Sequence, residues 1–138
     1  MTRPKRFIRE ACKASNHSDE KCTFLVGAAV VLGSRVIATG ACTTKTHPKN
    51  PKLKVMTKRK QLCAEVVALI KALKIIPIRK LKECSIYVAR QRQDGSLAMA
   101  KPCEHCQKLF RKFGIKNIFY TNAFGEVEKL NLNLAFLY

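Results

Sequence analysis

The chain has 138 residues, of which 47% are hydrophobic, so it can close one core without support from disulfides. We expect a single domain that spans residues 1–138. Lysine and arginine number 27 against 9 acidic residues, which gives a formal net charge of +18. This excess argues against an enzyme of small neutral molecules and predicts a polyanionic partner, unless the charge serves only solubility.

The cysteine usage indicates a reducing compartment. Seven cysteines are an odd number, and several lie inside apolar runs, which argues against a secreted disulfide framework. No run of eighteen or more apolar residues is present, and the N-terminus leads into no apolar stretch of signal-peptide length. We therefore expect a soluble, intracellular, cytoplasmic protein that has reduced thiols and no membrane association.

The first half of the chain predicts a helix, a hairpin and a basic loop. Residues 1–20 have helical apolar spacing, whereas 23–31 and 35–39 read as two strands of a hairpin. Gly27 inside the first strand predicts a close backbone approach. Residues 41–60 form a polar, proline-punctuated loop that should lie at the rim of a site, although such a loop is often only solvated. Its cations are the predicted phosphate- or nucleic-acid-binding residues Lys45, Lys49, Lys52, Lys54, Lys58, Arg59 and Lys60.

The second half alternates helices and strands. Residues 61–73 are apolar nearly all round and predict a helix buried against a sheet. A strand is expected at 85–89 and a helix at 103–113, where a proline fits the helix start. Strands at 115–121 and 126–130 should pair in antiparallel fashion across a short turn.

Three cysteines have the spacing of a metal site. Cys103 and Cys106 form a C-x-x-C pair on the first turn of a predicted helix, and Cys63 lies at the start of another. Two thiolates from one helix and a third from a second helix can bind one Zn²⁺ and leave its fourth position open, as catalytic zinc sites do. The positive ends of both helix dipoles would favour thiolates over thiols. We predict one Zn²⁺ per chain.

Glu65 follows Cys63 by two residues, which places a carboxylate beside the metal but outside the ligand set. Zinc lowers the pKa of its bound water from about 15.7 to about 7. A neighbouring carboxylate can accept that proton and return it to the substrate. We therefore predict Glu65 as the catalytic residue.

These motifs resemble a known zinc signature. Cys63-Ala64-Glu65 together with Pro-Cys-Glu-His-Cys at 102–106 is similar to the signature of the cytidine and deoxycytidylate deaminase superfamily. Residues 26–30 resemble the V-G-A strand of that superfamily, and 45–48 resemble a K-T-H-P element of certain viral and fungal members, which suggests a virus-encoded protein. The similarity extends over 24–130. It implies a three-layer α/β fold with a five-stranded mixed sheet flanked by helices.

The resemblance also implies an activity, the hydrolytic conversion of cytosine to uracil. Cysteine at the first ligand position is typical of the cytidine deaminases proper, whereas many relatives have histidine. Cys42 stands where many relatives have an asparagine that holds the sugar, and a thiol cannot make the same bidentate contact. His47 would contact the base or a phosphate, unless it is simply a loop residue. The candidate substrate-binding residues are Phe24, Cys42, Thr46, His47, Ala64, Ala100 and Pro102.

Several alternatives remain open at this point. Our leading hypothesis is cytosine in single-stranded DNA or RNA, because a base must leave its stack before a deaminase reaches it. A free nucleoside or nucleotide is the competitor, and a non-catalytic nucleic-acid-binding module stapled by zinc belongs to a different class. A closed structural site would recruit Cys42, Cys84 or His105 as fourth ligand. The sequence leaves the oligomeric state open.

Overall fold

A computed structural model of the chain describes residues 3–18, 22, 24–43 and 63–131. Within these ranges no helix is long and apolar enough to span a membrane. The helices are α1 (Arg3–Ser15), α2 (Ala64–Ala72) and α3 (Glu104–Lys112), with a 3₁₀ helix at Ile78–Glu83. The strands are β1 (Leu25–Leu32), β2 (Arg35–Ala41), β3 (Cys84–Gln91), β4 (Leu97–Ala98), β5 (Asn117–Thr121) and β6 (Val127–Lys129).

The sheet is mixed, as the sequence predicted. Its strand order is β2-β1-β3-β5-β6; β3 and β5 are parallel, whereas the other neighbours in this path, including β5 and β6, are antiparallel. The five strands of this path match the predicted number. A sixth, β4, pairs with the end of β3 in a segment for which the sequence predicted no strand. Two residues are too few to carry a periodic pattern, so only the tertiary pairing reveals β4.

Helices cover both faces of the sheet because the central strands are apolar on both sides. In β1, Ala28 and Val30 belong to the core cluster that includes α2 and α3. Ala29 and Val31, which alternate with them, belong to the cluster that includes α1. Buried strands of this kind read as continuous apolar runs, and they require a helical layer on each side. The predicted three-layer arrangement is therefore confirmed.

Two glycines let the helices approach the sheet closely. A Cβ atom at Gly27 in β1 would collide with the carbonyl oxygen of Ala11 in α1. A Cβ atom at Gly40 in β2 would lie 2.7 Å from the carbonyl oxygen of Ala64, the first residue of α2. Since no side chain fits at either position, the glycines set the distance of each helix from the sheet. Gly40 thereby also positions the start of α2.

Candidate active site

The three predicted zinc ligands converge where α2 and α3 begin. Cys63 is the N-cap of α2, Cys103 is the N-cap of α3, and Cys106 lies in the first turn of α3. Both N-caps have extended backbones, and their carbonyl oxygens accept hydrogen bonds from the amides of Val67 (3.1 Å) and Gln107 (2.9 Å). The three Sγ atoms all lie within 4.8 Å of one another. The N-cap geometry thus directs thiols of two helices to one point.

This donor set fits one Zn²⁺. A tetrahedral zinc with Zn–S bonds of about 2.3 Å needs sulfurs about 3.8 Å apart, which small side-chain rotations would reach here. Cys106 is buried, whereas Cys63 and Cys103 are partly buried at the wall of a cavity. A cation held by the three thiolates would have its fourth position on the side of the cavity that Cys63 and Cys103 line.

The raised pKa values of the clustered thiols indicate that a cation is needed to ionise them. Hydrogen bonding with Cys103 raises the pKa of the Cys63 thiol to about 12. Hydrogen bonding with Cys103 and Cys63, together with burial, raises the pKa of the Cys106 thiol above its usual range. The Cys63 and Cys106 thiols therefore keep their protons near neutral pH, and a divalent cation is what would displace them. The starts of two helices would add favourable dipole ends to the resulting thiolates.

Glu65 lies in the first turn of α2, beside this cluster, and only 5% of it is exposed. Burial raises the pKa of the Glu65 carboxyl to about 7, against hydrogen bonds from its own backbone amide and from the Cys106 thiol. The carboxyl thus lies within hydrogen-bonding distance of one candidate ligand without belonging to the group of three sulfurs. A cation at the sulfurs would oppose the rise in its pKa.

A cavity of about 240 Å³ opens beside the sulfurs and Glu65. Its inner wall has small side chains at Ala64 and Ala100, which leave space for a flat ring. Its mouth is marked by two exposed apolar side chains, Phe24 and Met99. The complete lining consists of Phe24, Val26, Cys42, Cys63, Ala64, Glu65, Val88, Arg90, Met99, Ala100, Lys101 and Cys103.

The structure brings most of the described substrate-binding candidates to this cavity. Phe24, Cys42, Ala64 and Ala100 all line it. Pro102 is buried immediately before the first residue of the C-x-x-C pair, and its carbonyl oxygen accepts a hydrogen bond from a side-chain amide of α3 at 2.8 Å. One lone pair of that oxygen is therefore engaged within the protein.

The geometry gives no support to a closed all-cysteine site. Cys42 lines the cavity, but it is not one of the three mutually close sulfurs. Burial and hydrogen bonding with Cys22 raise the pKa of the Cys42 thiol. Cys84 donates a hydrogen bond to the carbonyl oxygen of Lys80 at 3.6 Å. Both candidate fourth thiols therefore have partners outside the cluster.

Nine predicted contact residues fall outside the part of the chain that the structure describes. They are two residues of the K-T-H-P element and the seven cations of the basic loop, so these assignments stay predictions: Thr46, His47, Lys45, Lys49, Lys52, Lys54, Lys58, Arg59 and Lys60.

Sequence reasoning missed Arg90, which lies at the cavity. Its guanidinium carbon is 3.4 Å from the centroid of the Phe24 ring. The signal was present in the sequence, since a cation follows directly on the apolar run 86–89 at a strand end. A charge that near to the core needs a partner, and the ring of Phe24 supplies one.

Comparison with known proteins agrees with this architecture. A family model described as the cytidine and deoxycytidylate deaminase zinc-binding region matches residues 1–122. A comparison with curated proteins gives no match. Among solved structures, the dCMP deaminase from the cyanophage S-TIM5 has a TM-score of 0.62 and 22% identity, with 87% of this chain and 82% of that chain covered.

Two further solved structures share the fold. A cytidine deaminase from Burkholderia pseudomallei has a TM-score of 0.65 and 23% identity, over 96% of this chain and 94% of its own. A tRNA:A34 deaminase has a TM-score of 0.58 and 20% identity, over 88% and 78% respectively. Identities this low support the fold alone, whereas the family model covers most of the chain, including both cysteine motifs. The chain therefore belongs to the family of cytidine and deoxycytidylate deaminases that is defined by this zinc-binding region.

Proposed function

We propose that this chain is a hydrolytic deaminase that converts cytosine to uracil, and that its cytosine is carried by single-stranded DNA or RNA. The observation that carries this proposal is the convergence of three thiols, two of them at a cavity wall, beside the buried carboxyl of Glu65, which lines the same cavity. A structural metal site has no use for such a carboxyl or for an open cavity.

The chain's own residues have distinct roles in the proposed reaction. Cys63, Cys103 and Cys106 hold Zn²⁺, which when bound activates a water molecule as the nucleophile. Water adds to the ring carbon that bears the amino group, and ammonia leaves. Glu65 accepts one proton of the water and passes it to the ring nitrogen; it then takes the proton of the newly added hydroxyl and delivers it to the departing amine, so that the ring carbon becomes a carbonyl. Its burial beside the cluster keeps bulk water from competing for that proton.

The cavity wall would orient the base. Ala64 is the first residue of α2, and the first amides of a helix have no partner within the helix. Its amide can therefore donate to an oxygen of the pyrimidine. Ala100 is fixed on the other side, because its amide donates to the Thr121 carbonyl oxygen at 2.8 Å. With the ring between these residues, its amino-bearing carbon faces the thiols and its sugar faces the mouth.

Charge and exposure at the mouth favour a polynucleotide. The chain carries a net charge of +18, and the 48% exposed Phe24 and the exposed Lys101 line the same cavity. Stacking on an aromatic ring beside cations is the usual way to hold single-stranded nucleic acid. The modest cavity volume of about 240 Å³ favours the second candidate, a free cytosine nucleotide or nucleoside.

One assay separates these substrates. The purified protein loaded with zinc is incubated with cytidine, deoxycytidylate and a cytosine-containing oligonucleotide, and uracil is measured in each. Turnover of the oligonucleotide is expected, and its affinity should fall steeply with salt because phosphate binding releases counterions. Turnover of the monomers only would contradict the polynucleotide substrate and favour the second candidate.

Replacement of Glu65 tests the reaction itself. Glu65→Gln keeps the shape of the side chain but removes its basic oxygen, so we expect turnover to fall by about 10²- to 10⁴-fold. Zinc content by metal analysis should remain at one per chain. The matched control is Glu104→Gln, because Glu104 lies on α3 beside the cluster in sequence and is 80% exposed. If the Glu65→Gln variant and the wild-type protein are equally inactive towards cytosine substrates, the chain is a zinc-stapled binding module.

A further inference from the structure

The mouth of the cavity carries a rigidly held arginine. Arg90 ends the buried part of β3 and is paired in register with Val26 of β1 and Ala98 of β4. Its amide donates to Thr121 Oγ1 at 3.3 Å, which ties the same residue to β5. The guanidinium lies over the Phe24 ring, 3.4 Å from its centroid. Three strands and one aromatic ring therefore determine where this charge is placed.

The stacked guanidinium keeps its hydrogen-bonding capacity. Stacking occupies a face of the planar group, whereas its N–H donors point outward in the plane. Arg90 Nε is buried and has no hydrogen-bond partner within the described residues. Arg90 also takes part in none of the ion pairs formed among those residues. No acceptor among the described residues therefore holds the guanidinium at Nε, and because Arg90 lines the cavity its donors can turn to an acceptor of a ligand there.

The surroundings favour an anionic acceptor. Lys101 lines the same mouth and is exposed, so two cations face the entrance. Within the described lining, Glu65 is the acidic residue, and it is buried at the inner end beside the sulfurs. A cytosine whose amino-bearing carbon faces those sulfurs directs its sugar and phosphate towards the mouth. Arginine is well suited to a phosphate because its planar fork can donate two parallel hydrogen bonds.

We propose that Arg90, held over the Phe24 ring, binds a phosphate group of the substrate, and that it selects phosphorylated cytosine over the bare nucleoside. This inference rests on the proposed function and adds the substrate class to it. The phosphate can be the 5′-phosphate of a mononucleotide or a backbone phosphate of a single strand, since both present the same oxygens.

The test compares two Arg90 variants with a matched arginine control. The quantity measured is the ratio of kcat/KM for a phosphorylated substrate to kcat/KM for the corresponding nucleoside. Arg90→Gln should lower this ratio by about 10- to 100-fold, the usual loss when a charge-assisted hydrogen bond is removed. Arg90→Lys retains the positive charge but not the planar group that donates two parallel hydrogen bonds and lies over the ring. The ratio should therefore fall less in this variant than in Arg90→Gln. Arg92→Gln is the control, because Arg92 binds Ser96 and Leu97 in an exposed turn two residues further on.

Comparison of deoxycytidine, deoxycytidylate and the oligonucleotide as substrates distinguishes the two sources of phosphate. A loss with deoxycytidylate relative to deoxycytidine assigns the 5′-phosphate, whereas a loss confined to the oligonucleotide assigns a backbone phosphate. The proposal is overturned if Arg90→Gln lowers kcat/KM equally for nucleoside and phosphorylated substrates, because that pattern belongs to a structural residue. It is also overturned if the wild-type protein shows no preference for phosphorylated substrates, or if Arg92→Gln changes the ratio as much.

A binding measurement separates this inference from the proposed function. In the Glu65→Gln background, calorimetry should show deoxycytidylate or the cytosine-containing oligonucleotide binding more tightly than deoxycytidine, and Arg90→Gln should abolish that difference. If no cytosine substrate is turned over by the wild-type protein but this Arg90-dependent difference persists, the proposed reaction is wrong and the phosphate site stands. If turnover is found but binding shows no dependence on Arg90, the phosphate site is wrong and the reaction stands.

Discussion

The two faces of the sheet differ in what they bring together. The face covered by α1 has the larger cavity, about 900 Å³, with walls of apolar and basic side chains and a single thiol and a single carboxyl. The face covered by α2 and α3 has a cavity of about 240 Å³ that is lined by two of the three converging thiols and by the buried carboxyl. The candidate reactive groups lie at the smaller cavity because α2 and α3 both begin beside it. Convergent ionisable groups, rather than volume, mark the candidate site.

The two faces also use aromatic residues differently. On the α1 face, Tyr87 lies between Phe7 and Phe119, with ring centroids 5.1 Å and 4.8 Å apart. Such a row adds packing energy and stiffness but no reactive group. On the site face, Phe24 is half exposed and carries the Arg90 guanidinium. The α1 face therefore uses its aromatic rings in packing against one another, whereas the site face leaves one ring half exposed beside a cation.

The largest expected difference between the faces comes from removing one thiol on each. Cys103→Ser deletes a candidate zinc ligand but places serine, a favoured N-cap, at the start of α3, so folding should be preserved. Zinc content should fall from one per chain to nearly none, and turnover by at least ~10³-fold, because no cation activates water. Cys12→Ser on α1 is the matched control and should leave both unchanged.

Metal analysis by mass spectrometry and the cytosine assay check this prediction, with circular dichroism to verify folding. Retention of stoichiometric zinc by a folded Cys103→Ser protein would mean that the three sulfurs are not the metal site. Loss of zinc in Cys12→Ser would mean that the α1 face contributes to metal binding, which would contradict the expectation that only the face covered by α2 and α3 binds the metal.

How much of the site was predictable depends on whether its residues are local in sequence. Cys103 and Cys106 were predicted together because both lie on one helical turn, and Glu65 followed from its distance to Cys63 along α2. The Phe24–Arg90 contact was not predictable in this way. The two residues are far apart in the chain and meet because β1 and β3 pair with Val26 opposite Arg90.

The same reasoning applies to the fold. The mixed sheet and its covering helices were predictable because the apolar patterns of β1 and α2 are long and continuous. The 3₁₀ helix Ile78–Glu83 and the strand β4 were missed, since their short segments have no periodicity of their own. The sequence predicted a close backbone approach at Gly27. It did not predict the one at Gly40, because that approach depends on how α2 packs against β2.

Substitutions at these two glycines test the difference between the two faces of the sheet, and their effects should be of intermediate size. Gly27→Ala and Gly40→Ala should each destabilise the fold by about 1–3 kcal/mol, because a methyl group would press a helix away from the sheet. Only Gly40→Ala should also weaken zinc binding, since α2 carries Cys63. Gly33→Ala is the control: its φ of 65° strains alanine, but no atom lies within 4 Å of the added Cβ.

Urea unfolding and competition with a zinc chelator measure the two quantities separately. Equal zinc affinities in the three variants would indicate that the position of α2 tolerates displacement, so that the site does not depend on the Gly40 contact. A zinc defect in Gly27→Ala as large as that in Gly40→Ala would remove the distinction between the faces.

The smallest effect is expected at the outer edge of the site face, where Tyr120 and Asn122 donate hydrogen bonds to Glu128 at 2.8 Å and 2.9 Å. The Asn122 bond, followed by the Tyr120 bond, lowers the pKa of the Glu128 carboxyl. A carboxyl with a lowered pKa stabilises the fold above its ordinary pKa of 4.5 and loses this contribution as pH falls through the folded value.

Glu128→Gln should therefore lower the melting temperature by a few degrees at neutral pH, because a charged acceptor becomes a neutral one. The difference from the wild-type protein should shrink as pH falls below 4.5. Glu126→Gln, which removes the same charge two residues away, is the control and should have a smaller effect at neutral pH. A melting difference for Glu128→Gln that stays constant from neutral to acidic pH would mean that the charge of Glu128 does not hold the β5–β6 edge. The polar edge of the site face would then contribute to stability through packing alone, as the aromatic row does on the opposite face.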